Sequence, residues 1–360
     1  MTERGLRTAL RHQIHTKYAE ERRRRRAWAQ QIPDRRTSEP TVEQAKEEGY
    51  TMRRTIPLLA TMALTLLMAS GLALAMGVGT AVADSSIVGP GESIQKAVNA
   101  ADPGDTIVVR GVHREDVVIF KNGIKLRGQD AVIEAPPRAK ADTPCSKALG
   151  PQAICVLGDF NPETEEINKR VSDVSVSGFT IRGFKDKDAS VIDVFAARNA
   201  TVVGNRITGN LARGIAFGGS VNSTIAKNHI IGGPETPEKG ILVGISSRTK
   251  IVNNVVRGGY DQGVEAEEST NTTIEGNDLI GNRLGVVVPD ESTGTKIVSN
   301  DITDSAVGGM AILDSTGTKI VSNDVSRFGN TGITIFGPER ANNAKVVGNR
   351  ISGGPWAASR

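Results

Sequence analysis

"STGTKIVSND" occupies residues 292–301 and returns letter for letter at residues 315–324. An identical stretch repeated after 23 residues marks a stacked repeat, in which each unit buries its apolar side against the next. With Asn300 and Asn323 as anchors, weaker copies extend both ways: "TVVGNRITGN", "TIAKNHIIGG", "KIVNNVVRGG" and "TIEGNDLIGN" upstream, "KVVGNRISGG" downstream. The anchors are Asn205, Asn228, Asn254, Asn277, Asn300, Asn323 and Asn349, at intervals of 23 or 26 residues.

Three positions before each anchor stands Val or Ile, from Val202 to Val346, and two positions after it stands Ile, Val or Leu, from Ile207 to Ile351. The flanks are mostly polar, so the alternation is that of strands and not of a helical stripe. A further short strand follows a glycine about ten residues on, as in "GIAFGG", "GILVGI", "GVEAEE" and "GITIFG". Two or three strands per repeat, joined by Gly, Asn, Ser and Asp turns, describe one rung of a coil. Rungs stacked about 4.8 Å apart pair each strand with its equivalent in the next.

Asn tolerates the left-handed backbone of a tight corner, and stacked Asn side chains can hydrogen-bond to one another and to corner backbone. The seven anchors are therefore expected to form a structural ladder. The sequons at Asn199, Asn222 and Asn271 fall at the turn before a strand and read as turn chemistry.

This pattern resembles the right-handed parallel β-helix proteins of the pectate-lyase-like class over roughly residues 86 to 353. The opening "VGPGESIQKAVNAADPGDTIVVRGVHREDVVIFKNGIKLRGQDAVIEA" is similar to the start of many bacterial members, where a short helix covers the open end of the coil. Here Ser93 would cap that helix, with Ile94, Ala97 and Val98 as its apolar stripe. The expected fold is all-β, a single-stranded right-handed parallel β-helix of about ten rungs with a short N-terminal capping helix.

Segment boundaries follow from composition. Residues 1–51 are a basic extension containing "ERRRRR" at 21–26, and a gene start placed upstream of the true one, Met52, is the favoured explanation. Residues 52–83 combine a positive start, a long apolar run and a small-residue end, the pattern of a signal peptide. The apolar part, 56–83, would act as a membrane anchor if left uncleaved. Residues 84–134 hold the cap and first rungs, 135–170 a loop insertion, 171–354 the repeats and 355–360 a tail. A secreted, cell-surface or periplasmic location is expected, with an anchored extracytoplasmic domain as the alternative. From Asp84 onward the chain has 30 basic and 32 acidic residues, so the whole-chain pI of about 9.1 is no sign of nucleic-acid binding. Aromatic residues, at 4%, are too few for a base-stacking surface.

The two cysteines, Cys145 and Cys155, lie in the Pro/Gly-rich insertion and are expected to form a disulfide in an exported protein. Phe179 takes the anchor position 26 residues before Asn205.

Members of this fold class act mainly on polysaccharides, as lyases, hydrolases or epimerases, so the resemblance implies an extracellular or cell-wall polysaccharide partner. The candidate site is "GGYDQGVEAEES" with the following rungs' "VVVPDES" and "ILDS". If Val264 and Ala266 point inward, Glu265 and Glu267 point outward, and with Asp290 they are the catalytic candidates. Tyr260, Asp261, Arg283, Glu291 and Asp314 are the substrate-binding candidates, and such carboxylates could hold calcium. A solvated acidic surface is the plain alternative. Lys250, Lys296, Lys319 and Lys345 form a row beside Asp278, Asp301 and Asp324, which suggests surface ion pairing. The "DPHE" of mannuronan epimerases, the "NTD…DD…GHG…RIK" series of polygalacturonases and the "RxPxxR" of pectate lyases are missing. Whether the chain is an enzyme stays open, and a non-catalytic structural or adhesion solenoid is an alternative.

The repeats also resemble the copper-accessory β-helix proteins of nitrous-oxide-reductase maturation (NosD-type). Copper handling asks for His, Met or Cys ligands, and the exported part has only His113 and His229, on distant rungs, and few Met. No metal ligand set is assigned.

Overall fold

The computed structural model describes residues 83–136, 143, 145, 152–161, 166–185, 189–210, 213–233, 238–289, 291–336 and 343–354. The basic extension, the tail 355–360, Asp290 and all of the signal segment except Ala83 lie outside them.

The protein is a right-handed parallel β-helix of about ten turns. Each typical rung places two three-residue strands on either side of the anchor Asn, as in Lys296–Val298 and Asp301–Thr303, and these build an 18-stranded sheet. A longer strand of five or six residues follows, as in Gln262–Glu267, and these, with the shorter Val117–Ile119 and Ile154–Leu157, form a second, nine-stranded parallel sheet. Single bridges through Arg198, Val221, Ser247, Thr270, Thr293 and Thr316 make a third, narrow column. Register is maintained from rung to rung, so Val202, Ile225, Ile251, Ile274, Ile297 and Ile320 stack in one buried file.

The N-terminal end is closed by the helix Ile94–Ala100, whose Ile94 and Val98 are buried in the core. The Ser93 hydroxyl accepts from the Lys96 amide at 3.2 Å. The Glu115 carboxylate, brought in from the chain that follows strand Thr106–His113, accepts from the amide of Ile94 at 2.6 Å and from the Ser93 hydroxyl at 2.9 Å. Both satisfy donors that the start of a helix leaves without partners.

The Asn ladder is present, with one correction. The left-handed residue is the one before each anchor: Gly204, Lys227, Asn253, Gly276, Ser299, Ser322 and Gly348 have φ between 53° and 65°. That residue turns the chain so that the next side chain enters the corner. In the inner copies the anchor amide is buried there. Asn277 Oδ1 accepts from the backbone and side-chain N–H groups of Asn254, at 2.9 and 3.0 Å. Its Nδ2 donates to Ile251 O and to Asn300 Oδ1, both at 2.9 Å. Phe179 ends the ladder, its amide donating to Asn205 Oδ1 at 3.1 Å. Asn199, Asn222 and Asn271 do occupy left-handed corners, with φ of 54°, 54° and 55°.

The Lys and Asp rows do not pair as expected. In-register stacking sets Lys296, Lys319 and Lys345 above one another in one column and Asp278, Asp301 and Asp324 in another, on opposite sides of the Asn corner. Among the described residues no ion pair joins the two rows, and Asp324 instead meets Arg350 at 3.6 Å. Partial burial, and then the charges of Asp324 and Asp278, hold the Asp301 carboxyl above its ordinary value. A carboxyl raised in the folded state costs stability when ionised, and the cost disappears as pH falls. Asp301→Asn is therefore expected to raise the urea midpoint at neutral pH, with the difference vanishing below the ordinary carboxylate range. A difference independent of pH would contradict this account.

Candidate functional site

The outward face of the nine-stranded sheet is set by register. Val264 and Ala266 join the core, so Glu265 and Glu267 point outward, as the alternation requires. Gln262 pairs with Leu284 and Glu265 with Val287, which settles how "LGVVV" aligns with "QGVEA". The outward side chains are far from solvated: Glu265 is 4% and Glu267 3% exposed.

The first outward position of the long strands is polar over several rungs, and from Arg213 to Gln262 it precedes a glycine. In successive rungs it is Ser190, Arg213, Lys239 and Gln262, the first two paired directly and the last two likewise. Gln152, two residues before Ile154 as Ser190 is two before Ile192, continues the file. All five are buried. Three ion pairs gather here. Lys239 Nζ lies 3.2 Å from Glu265 Oε1, Arg213 Nε 3.4 Å from Glu238 Oε2, and Arg283 Nη1 3.1 Å from Asp261 Oδ1. Beside these charges Gln152 Nε2 and Oε1, Ser190 Oγ and Gln262 Oε1 are buried without a hydrogen-bond partner. Toward the N-terminus the same face turns apolar, with Val118, Cys155 and Leu157 in a second cluster that Phe120, Phe160 and Phe195 flank. Cys145 and Cys155 form the expected disulfide there. Toward the C-terminus the outward residues are Val287, Ala311 and Leu313.

The predicted site is thus divided. Asp261 and Arg283 meet at the start of the long strands, next to the polar file. Glu291 and Asp314 occupy left-handed corners, with φ of 58° and 46°, just past the far end. A six-residue strand separates the two groups by about 17 Å. Tyr260 corrects the expectation of a rim residue: it is completely buried in the core cluster, its hydroxyl has no hydrogen-bond partner, and burial pushes the phenol far above its usual value. Asp290 lies outside the described residues. Gln152, Ser190, Arg213, Lys239, Gln262 and Glu238 were missed. For three of them the signal was the residue before glycine in "RGIAFG", "KGILVG" and "QGVEAE".

Residues 163–308 and 235–357, together more than half of the chain, match the family described as "Periplasmic copper-binding protein (NosD)". The chain belongs to this family. Among curated proteins none matches it. Several solved structures are similar to it. ORF18 of Geobacillus virus E2 is 10% identical, with a TM-score of 0.47 over 72% of this chain and 56% of that one. The Dettilon tailspike protein is 15% identical, with a TM-score of 0.45 over 74% and 62%. The A-module of mannuronan C-5 epimerase AlgE6 from Azotobacter vinelandii is 15% identical, with a TM-score of 0.39 over 73% and 94%. The chain thus spans little more than half the length of the first two.

The donors of this NosD-family β-helix do not fit a copper centre. Among the described residues no three His, Cys, Asp or Glu side chains are placed to hold a metal ion. Described Met310 lies in the core, in file with Val286 and Ile333. No described helix is long and apolar enough to cross a membrane.

Proposed function

We propose that the chain is an extracytoplasmic β-helix recognition protein that binds a neutral, hydroxyl-rich polysaccharide along the Gln152–Ser190–Arg213–Lys239–Gln262 file. The observation that carries this reading is the set of partnerless polar atoms on Gln152, Ser190 and Gln262, buried on an outward-facing column. Buried polar groups without partners call for a ligand or ordered water, and a sugar hydroxyl both donates and accepts. Rungs about 4.8 Å apart make the file about 19 Å long, enough for several sugar units. Arg213, Lys239 and Arg283 each already face a carboxylate, so a polyanion gains little from them. Neutrality of the ligand follows from that pairing.

The test is affinity electrophoresis of the full chain in neutral glucans, mannans and galactans and in alginate and pectate. Retardation by a neutral polymer, weakened at least tenfold by Gln262→Ala or Ser190→Ala, is expected. Silence with every polymer would leave the file with ordered water alone and sink the proposal. Retardation by alginate or pectate only would overturn the charge argument. Cleavage is a second reading, favoured by Glu265 and Glu267: their backbones are about 7 Å apart on one face, and inverting hydrolysis uses carboxyls about 6.5–9.5 Å apart. New reducing ends, lost in Glu267→Gln, would establish it.

A further inference from the structure

From Asp84 to Arg360 the sequence holds five soft or imidazole donors in all: His113, Cys145, Cys155, His229 and Met310. Copper sites are built from such groups, two or more converging on one point. Each of the five is committed elsewhere or stands alone.

His113 is buried with Nδ1 3.1 Å from the Glu92 carbonyl oxygen and Nε2 2.9 Å from that of Arg110, so the nitrogen that carries the proton donates to backbone and the other is closed off against a carbonyl oxygen beside the capping helix. Turning either toward a metal would break the contacts that fasten the chain before that helix. The cysteines are joined to each other and present no thiolate. The Met310 thioether lies within the apolar interior.

His229 is the strongest counter-candidate, because its Nε2 is buried without a partner. Its surroundings repel a cation. Burial, then the charges of Arg206 and Arg257, disfavour a positive charge at this ring, and Arg206 Nη1 lies 3.2 Å from Nδ1. Its stacked neighbours are Arg206 and Val255, neither of which is a copper ligand. One imidazole whose Nδ1 faces a guanidinium group, with no second donor beside it, holds no copper ion.

We infer that the β-helix of this chain contains no copper centre, although its family is described as copper-binding. The fold has been kept here while its soft donors serve the cap, the disulfide and the core. What the family shares with this member is then the solenoid and its surface.

The test is a competition titration of the full chain, with its disulfide intact, against a chromophoric copper chelator. Cu(I) is supplied anaerobically as its acetonitrile complex, so that no thiol reductant opens Cys145–Cys155, and Cu(II) as a dilute salt. The chelator is expected to keep all the copper at equimolar protein, with the thermal midpoint of the protein unchanged by metal, since a ligand of the native state would raise it. Stoichiometric withdrawal of copper that persists in a variant lacking the donors ahead of the β-helix (His12→Ala, His15→Ala, Met52→Leu, Met62→Leu, Met68→Leu and Met76→Leu) would overturn the inference. Withdrawal abolished in that variant would assign the metal to residues ahead of the β-helix and uphold it.

Discussion

Asn277→Ala is expected to cost about 3–5 kcal/mol, enough to unfold much of the chain at moderate urea, because alanine leaves several buried groups without partners at once. The backbone and side-chain N–H groups of Asn254 lose their shared acceptor, and the Ile251 carbonyl loses its donor. A buried polar group left without a partner costs about 1–3 kcal/mol. The comparison that decides the matter is Asn349→Ala, at the C-terminal end of the ladder, where the anchor is only part-buried. Its cost is expected to be near 1 kcal/mol or below, about what one partly solvated hydrogen bond contributes. Equal shifts of the urea midpoint for the two variants would show that the ladder stabilises by some other means than buried amide pairing. A solenoid is coupled only between neighbouring rungs, so an interior break should also broaden the transition.

Gly240→Ala is the second large effect. A Cβ at residue 240 would lie 2.2 Å from Val256 Cγ1 and 2.6 Å from the Gly263 carbonyl oxygen, and the second obstacle is backbone of the next rung. Gly214, Gly263, Gly285 and Gly309 meet the same obstruction. The strand cannot retreat without losing its register on both sides. The substitution is expected to cost about 3 kcal/mol or more, the upper end of overpacking, and to lower the yield of soluble protein. Gly281→Ala is the control. Its φ is 65° with nothing within 4 Å of the added Cβ, so only the left-handed backbone is penalised, at about 1–2 kcal/mol. Should Gly240→Ala prove the milder of the two in thermal or urea unfolding, the close packing of the glycine file is not what fixes rung spacing.

These two positions differ in how openly the sequence announced them. The Asn repeat was visible because one corner chemistry recurs in seven rungs. Its backbone role was misplaced by one residue, because a left-handed turn and the side chain it buries are neighbours in sequence. The glycine file recurs just as regularly in "RGIAFG", "KGILVG" and "QGVEAE", yet a lone glycine in a strand is compatible with a bulge, a bend or a close approach. Only the neighbouring rung's carbonyl shows which applies.

The candidate site was legible in part for the same reason. Alternation showed that Glu265 and Glu267 face outward, and Asp261 at the start of their strand pairs with Arg283 of the next rung. Tyr260 was misread because a residue next to a turn lies inside or outside according to a backbone rotation that period-two counting does not reach. Glu291 and Asp314 were grouped with Asp261 because rung-to-rung proximity was inferred without knowing at which end of the strand each one stands.

What the sequence by itself determined is the periodic part of this protein: the β-helix, its rung length, the inward apolar files and the Asn ladder. Each follows from interactions between a rung and a copy of itself, so repetition in the chain is repetition in space. Only the tertiary structure decided which side chains pair and how deeply each column is buried. It put like charges above like instead of pairing the Lys and Asp rows, enclosed both nitrogens of His113 between backbone carbonyl oxygens, and gathered Gln152, Ser190, Arg213, Lys239 and Gln262 into one buried outward file. The repeat says which residues are stacked, but which side chains meet and how deeply they are buried are set by the turn and corner of each separate rung.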